Sequence, residues 1–458
     1  MKRNNKLDLH NDPVLPLIFK STIPVMLAGI LTTSYSFIDM IFASRLGSLQ
    51  VASIAYVTPL FIIIQTIAIG ISRGGITIIA KLLGQEKREE ASDYATELRI
   101  IILFLSLIFT IVGYSFTPFI LRLIKVSDEL YEPTLIYTRI WFISNPLSLI
   151  MQLYMALFKA QGKMYITSRI SLVGVMGNTI FNGISVYVLK MGIEGLAYAT
   201  VCTKVVQVII MLITYHTSEH DYSLRWRSRI VRRKEIWKKL FTVGLPLSAT
   251  YASTHFGFLL LNIFINRYGY QAVAAFAIGN RIHSLLFFPS KEIGEGLIPL
   301  IAQNWGRKAM DRVKKTIRYG IIYSAAFGIL AGVIIQLIKY PIGKFLTNGD
   351  EVTYGHVLNY VSLVGWTVIA WAIFHTLQAV FTSFQKTSFT FTVNMIRLWG
   401  IRIPGVIAFS YFLPSLREYG VWYTMFISNV VTLIFAIVYF KMRIPPFLAS
   451  EEEFKGAV

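Results

Sequence analysis

One acid stands alone in the first apolar stretch of the chain. The segment IPVMLAGILTTSYSFIDMIFASRLG runs from Ile23 to Gly47, and Asp39 has no basic residue within five positions on either side. A carboxylate at the centre of a bilayer costs a few kcal/mol or more, so such residues face a cavity and serve substrate, ion or proton movement. Tyr35 lies one helical turn earlier, on the same face. The fifth apolar stretch offers Asn178 and Asn182, spaced i, i+4 and therefore on one face, and the sixth offers Thr200. Asp39 lies six residues before Arg45, Asn182 eight before Lys190, and Thr200 six after Glu194. At about 1.5 Å per helical residue, all three sit roughly 9–12 Å from the same edge of the membrane. An acid, two amides, a hydroxyl and a phenol at one depth could hold a cation or pass a proton. Taken singly, Asn and Thr in such stretches serve equally well as hydrogen-bonding glue between helices.

The remaining acids are sparse where it matters. Of 24 carboxylates, only Asp39, Glu292 and Glu295 lie within apolar spans. Glu292 and Glu295 are spaced i, i+3 beside Lys291 and are secondary candidates, with an internal ion pair as the plain structural explanation. His255 and His375 read as hydrogen-bonded bundle histidines. Pro24 and Pro246 fall inside helical stretches, where each frees a backbone carbonyl and predicts a kink. No Gly-Lys-Ser/Thr phosphate loop occurs, which argues against ATP-driven transport by this chain alone. No His/Cys cluster suggests a structural or catalytic metal, and no acid–base cluster suggests an enzyme. No cofactor is expected.

The elements that position these residues follow from composition. The 458 residues are 55% hydrophobic and 15% charged, with a mean hydropathy of +0.58. Apolar stretches long enough to cross a bilayer recur from end to end, which predicts an all-α integral membrane protein. The spans read as 14–44, 52–80, 100–121, 134–158, 166–189, 195–216, 240–266, 273–303, 319–343, 355–383, 387–413 and 419–440. Twelve spans put both termini on one side. The net charge of +20 could suggest nucleic acid, but the basic residues cluster between spans. With the termini cytoplasmic, inner segments carry 28 Lys and Arg against 8 outside, as the positive-inside rule requires. The polar opening residues precede the first span without a cleavable signal pattern.

The longest polar break, His216–Lys239, divides the chain in half, and its basic run reads as a linker touching anionic lipid. The expected organisation is a first lobe at 1–217, a linker at 218–238, a second lobe at 239–444 and a cytoplasmic tail at 445–458. Sliding the second half onto the first by 222 positions aligns Pro24 with Pro246, Arg45-x-Gly47 with Arg267-x-Gly269, and Gly74 with Gly296. In all, 15 of the 61 positions 24–84 are identical. Six spans per half keep both halves in the same orientation, so this is a parallel repeat of the kind found in transporters, with a cleft between or within the lobes. The repeat is unequal in chemistry. Asp39 aligns with Leu261, and the position facing Asn178 falls near Arg402, another secondary candidate.

Several motifs together resemble the multidrug and toxic compound extrusion (MATE) transporters. They are the opening Ile23–Gly47 segment, PSKEIGEGLIPLIAQNWG in the eighth span, ALFKAQGKMYITS at the fourth-to-fifth junction, and GIEGLAYAT at Gly192–Thr200. The resemblance covers essentially the whole chain and is closest to archaeal and DNA-damage-inducible members. It implies twelve helices in two pseudo-symmetric six-helix lobes that export organic cations or other amphipathic compounds against protons or sodium. In those relatives a Tyr and an Asp on the first helix, an Asn and an Asp on the fifth, and a Thr on the sixth form the cation site. Tyr35, Asp39, Asn178 and Thr200 match. Asn182 stands where the second acid is expected.

The resulting expectation is a monomeric multi-pass exporter of the plasma membrane, coupled to protons through Asp39. Sodium at Asp39, Asn178, Asn182 and Thr200 is the second choice, because one carboxylate suits a proton better than a metal ion. Nucleic acid is not an expected partner. Rival readings are a flippase for lipid-linked precursors, to which Arg73, Arg281, Arg397 and Arg402 would lend a cationic cavity, and an uncoupled receptor or channel.

Overall fold

The protein is described by a computed structural model covering residues 8–9, 11–124, 126–225, 233–347 and 349–456. Among these residues every regular element is helical. The first six spans are α1 (Val14–Leu46), α2 (Ser48–Gly84), α3 (Arg88–Leu123), α4 (Asp128–Ala160), α5 (Met164–Gly183) and α6 (Ile193–Thr217). A π-helical segment, Ile184–Val188, prolongs α5. The second six begin with α7 (Arg233–Asn266), α8 (Tyr270–Gly306) and α9 (Met310–Thr347). The tenth span is a pair, α10 (Glu351–Val364) and α11 (Thr367–Ser383), bent by 44°. The eleventh runs through α12 (Thr387–Met395), a π segment (Ile396–Arg402) and α13 (Ile403–Phe412), and the twelfth is α14 (Glu418–Gly456). Nine helices among the described residues are long and apolar enough to cross a membrane, and the bent pair makes ten. With α7 and the 387–412 run the count is the twelve that the sequence predicts.

The chain forms two compact units. Among the described residues, one holds those between 27 and 249, and the other holds those between 8 and 26 and between 250 and 456. Each long helix that opens a half therefore contributes its beginning to one unit and its remainder to the other. The crossing points, 26/27 in α1 and 249/250 in α7, lie within about one turn of Pro24 and Pro246.

In the first unit α4 packs against α2, α3 and α6, and α5 lies on α6. The opening of α7 crosses α2 where both carry small residues. A Cβ on Gly70 would lie 2.3 Å from the Ser248 nitrogen, and one on Gly74 would lie 3.0 Å from the Gly244 Cα. The Ser248 hydroxyl donates across this crossing to the Ile67 carbonyl at 2.9 Å. Small residues four apart on facing helices let backbones touch, and that contact holds helices together where lipid removes the hydrophobic drive. The second unit repeats the arrangement with the opposite donor helix. There Gly296 of α8 lies against α1, its Cβ position 2.9 Å from the Thr22 Cα. The rest of that unit is α8, α9 and α11 in mutual contact, with α10 on α8 and α14 on α11.

The turns obey the repeat as well. Gly47 and Gly269 take φ of 121° and 98°, which accounts for the shared Arg-x-Gly, since glycine bears these angles without a Cβ clash. Glu86 and Lys308, also 222 apart, both have positive φ, at 62° and 57°.

Three segments carry more structure than the sequence bounds describe. Residues 218–225, the start of the expected linker, are docked. Tyr222 is buried, Ser223 N donates to Ser92 Oγ, and Arg225 pairs with Glu89 at 2.8 Å. Residues 226–232 of the basic run lie outside the described residues. Residues 445–456 of the expected tail continue α14 through Pro445 and Pro446. Finally, α3 begins at Arg88, twelve residues before the expected span edge, and in this added stretch Glu97, 1% exposed, is satisfied by Arg233 Nε at 3.1 Å and by Trp237 Nε1.

Candidate functional site

Asp39 lies near the end of α1, in the part belonging to the first unit. The helical spacing of Asn178 and Asn182 carries both amides to the same carboxylate oxygen. Asn178 Nδ2 donates to Asp39 Oδ1 at 2.7 Å and Asn182 Nδ2 donates to the same atom at 2.8 Å. Both asparagines are fully buried, while Asp39 is partly accessible. Hydrogen bonds to an ionised acceptor are about twice as strong as neutral ones, so both bonds weaken when Asp39 takes up a proton. The amide oxygens of both asparagines are buried and receive no hydrogen bond. Two carbonyl oxygens thus flank the acid with their lone pairs unused.

Tyr35 stands one turn before Asp39, and its buried hydroxyl makes no hydrogen bond of good geometry. Thr200, Thr203 and Asn178 surround that hydroxyl. All five residues expected at the site therefore gather in one unit: Asp39, Asn178 and Asn182 in direct contact, with Tyr35 and Thr200 beside them.

Two members are additional. Lys204 of α6 lies within electrostatic reach of Asp39, and its ammonium sits 5.9 Å from the centre of the Tyr35 ring. Tyr137 of α4 comes within range of both Asp39 and Tyr35. The acid that is isolated in sequence is thus accompanied in space. Lys204 is legible in hindsight, as the one Lys or Arg between Glu194 and His216 and one turn beyond Thr200.

The second unit has no acid at the position aligned with Asp39. Leu261, aligned with Asp39, is fully buried in a cluster with Ile265, Phe276 and Trp422. What the unit has is a cavity of about 360 Å³ whose wall includes Arg402, Arg397, His283 and Lys291. Glu292 and Glu295 are not among its lining residues. Arg402 donates through Nε to Ser428 Oγ at 2.9 Å and through Nη2 to Asn429 Oδ1. Of the four arginines that favour a cationic cavity, Arg397 and Arg402 come together here, whereas Arg73 and Arg281 lie elsewhere. Among the described residues no group of three or more His, Cys, Asp or Glu could hold a metal ion.

The MatE family model matches twice, over residues 24–184 and 246–407, once in each half of the repeat. The chain belongs to the MatE family. Members of this family are transporters, and the MatE fold accounts for the twelve spans of this multi-pass membrane protein. Among relatives, the probable multidrug resistance protein YoeA of Bacillus subtilis (strain 168) is 23% identical over 434 residues, covering 92% of each chain. The multidrug export protein MepA of Staphylococcus haemolyticus (strain JCSC1435) is 24% identical over 343 residues, covering 73% of this chain and 75% of its own. Among solved structures, an outward-facing multidrug resistance MATE family transporter of the MOP superfamily superposes with a TM-score of 0.91. It is 20% identical, and the match covers 99% of this chain and 100% of the other.

Proposed function

We propose that this protein is a secondary antiporter of the plasma membrane, with both termini cytoplasmic, that works as a monomer. It exports drugs, organic cations or other amphipathic compounds in exchange for protons, and Asp39 is the coupling residue. The observation that carries the reading is the Asp39 carboxylate inside α1, held by two buried asparagines. The multidrug relatives supply the substrate class.

In this scheme the deprotonated acid attracts a cationic substrate, while Asn178 and Asn182 hold its geometry. Proton uptake from outside neutralises Asp39, weakens both charge-assisted bonds and disfavours the substrate, which leaves outward. Loss of the proton inward resets the carrier. Lys204 lies within electrostatic reach of the charged form, and a single carboxylate with Asn182 in place of a second acid favours a proton over sodium.

Sodium has one observation in its favour, the unused amide oxygens of Asn178 and Asn182. The deciding measurement is dye efflux from proteoliposomes under separately imposed proton and sodium gradients, with wild type and Asp39→Asn compared. Proton-driven efflux should be abolished in the variant. Full retention of gradient-driven efflux by Asp39→Asn would refute the mechanism, and efflux driven by sodium alone would replace the proton.

A further inference from the structure

We infer that the cavity of the second unit is a binding site for organic anions, specifically molecules joining a carboxylate or phosphate to an aromatic body. The inference stands on its own residues and does not depend on Asp39.

The wall has one sign of charge. Its lining residues include Lys291, Arg397, Arg402 and three histidines, and no Asp or Glu. Arg397 and Arg402 are each 1% exposed. Arg402 has its hydrogen bonds to Ser428 and Asn429, whereas Arg397 is incompletely served. Its Nη2 donates to Asn394 Oδ1 at 3.1 Å, but Nε and Nη1 are buried and have no acceptor. Buried donors without partners are expensive, and a charged group is the most expensive of all. Where such a group lines a cavity, an incoming acceptor is the natural complement. Nε and Nη1 lie on different edges of the guanidinium, so each offers an incoming carboxylate or phosphate oxygen its own charge-assisted bond.

The remaining wall describes the rest of the ligand. His283 Nε2, Gln378 Nε2 and Thr390 Oγ1 are further buried polar atoms without partners around the same space. Trp371 lies under Arg397, the guanidinium carbon 4.2 Å from the ring centre, and Phe287 and Phe288 complete an aromatic side. A volume of about 360 Å³ is in the range of small-molecule sites and suits a compact aromatic acid.

The backbone contributes too. Residues five apart in an α-helix point about 140° away from each other, which would separate Arg397 from Arg402. Both lie within the π segment Ile396–Arg402, whose wider turn bonds i to i+5 and brings them to one wall.

The test uses two dyes with one xanthene skeleton and opposite charge, fluorescein and rhodamine 123. Binding is read by fluorescence anisotropy with the purified full chain in nanodiscs of phosphatidylcholine. Fluorescein should bind saturably, and excess rhodamine 123 should not displace it. Arg397→Met should weaken fluorescein binding by roughly tenfold or more, the worth of one charge-assisted bond, and Arg397→Lys by less. Thr390→Phe, which fills the space and leaves the charges in place, should abolish binding and serves as the test should Arg397→Met not yield a monodisperse protein. Asp39→Asn should leave fluorescein binding unchanged, so failure of the coupling scheme and failure of this site are read separately. Equal fluorescein affinity in wild type, Arg397→Met and Thr390→Phe would overturn the inference. So would loss of fluorescein binding on adding phosphatidylglycerol to the discs, which would assign the cavity to a lipid headgroup.

Discussion

Replacing Gly70 by alanine tests the backbone contact that joins α2 to the opening of α7. The added Cβ would sit 2.2 Å from Ser248 Oγ, 2.3 Å from its nitrogen and 2.6 Å from its Cα. Carbon atoms prefer about 3.5–4.0 Å, so the helices must part by roughly 1 Å. Overpacking of this kind costs about 1–3 kcal/mol. Loss of the Ser248–Ile67 bond adds about 1 kcal/mol, against a gain of about 0.8–1.0 kcal/mol for alanine over glycine in a helix. The balance is a destabilisation of about 1–3 kcal/mol. Gly296→Ala, with backbone at 2.9 Å, should be milder, and Gly74→Ala, at 3.0 Å, close to wild type. Gly355 in α10 has nothing within 4 Å of its Cβ position, so Gly355→Ala should stabilise. The order is read from fluorescence-monitored melting in one detergent at one scan rate, because unfolding of such proteins is commonly irreversible. Gly70→Ala melting at or above wild type would show that no close backbone crossing exists there.

Three further outcomes are expected. Leu261→Asp should destroy the monodisperse protein on size exclusion rather than create a second coupling site, because the acid would enter a fully buried apolar cluster. Glu97→Ala, which strands Arg233 and Trp237, should cost about 1–3 kcal/mol in the same melting assay. Asp350 caps α10, and hydrogen bonds from the Thr353 hydroxyl and from backbone amides hold its carboxyl below the usual value of 3.8. A depressed native value means that this stabilisation is present above the unfolded value and is lost as pH falls through the native one. The melting difference between wild type and Asp350→Ala should therefore be constant at neutral pH and shrink below about pH 4.

Local rules made much of the first-unit site legible. The i, i+4 rule put Asn178 and Asn182 on one face, and residue counting to the nearest loop put them at the depth of Asp39. Neither rule reveals which neighbouring helix faces the acid, so Lys204 and Tyr137, on α6 and α4, come from packing alone. The second-unit cavity was hidden for another reason. Helical periodicity sets Arg397 and Arg402 on different faces, and the π segment that reunites them leaves no mark in the hydropathy pattern. The repeat was readable through Gly47 and Gly269 because positive φ restricts the choice of residue. Glu86 and Lys308 adopt positive φ without glycine, so the same turn there is invisible in sequence.

The exchanged beginnings of α1 and α7 also speak to ancestry. Thr22 fills against Gly296 the role that Gly244 fills against Gly74, 222 residues apart. A single six-span ancestor built this way would have completed itself only by lending its first half-helix to an identical copy, as a domain-swapped dimer does. Joining two such copies end to end would make that loan permanent. Residues 1–217 and 239–458 produced as separate polypeptides should each be left with an uncovered glycine groove, and should fold only when made together.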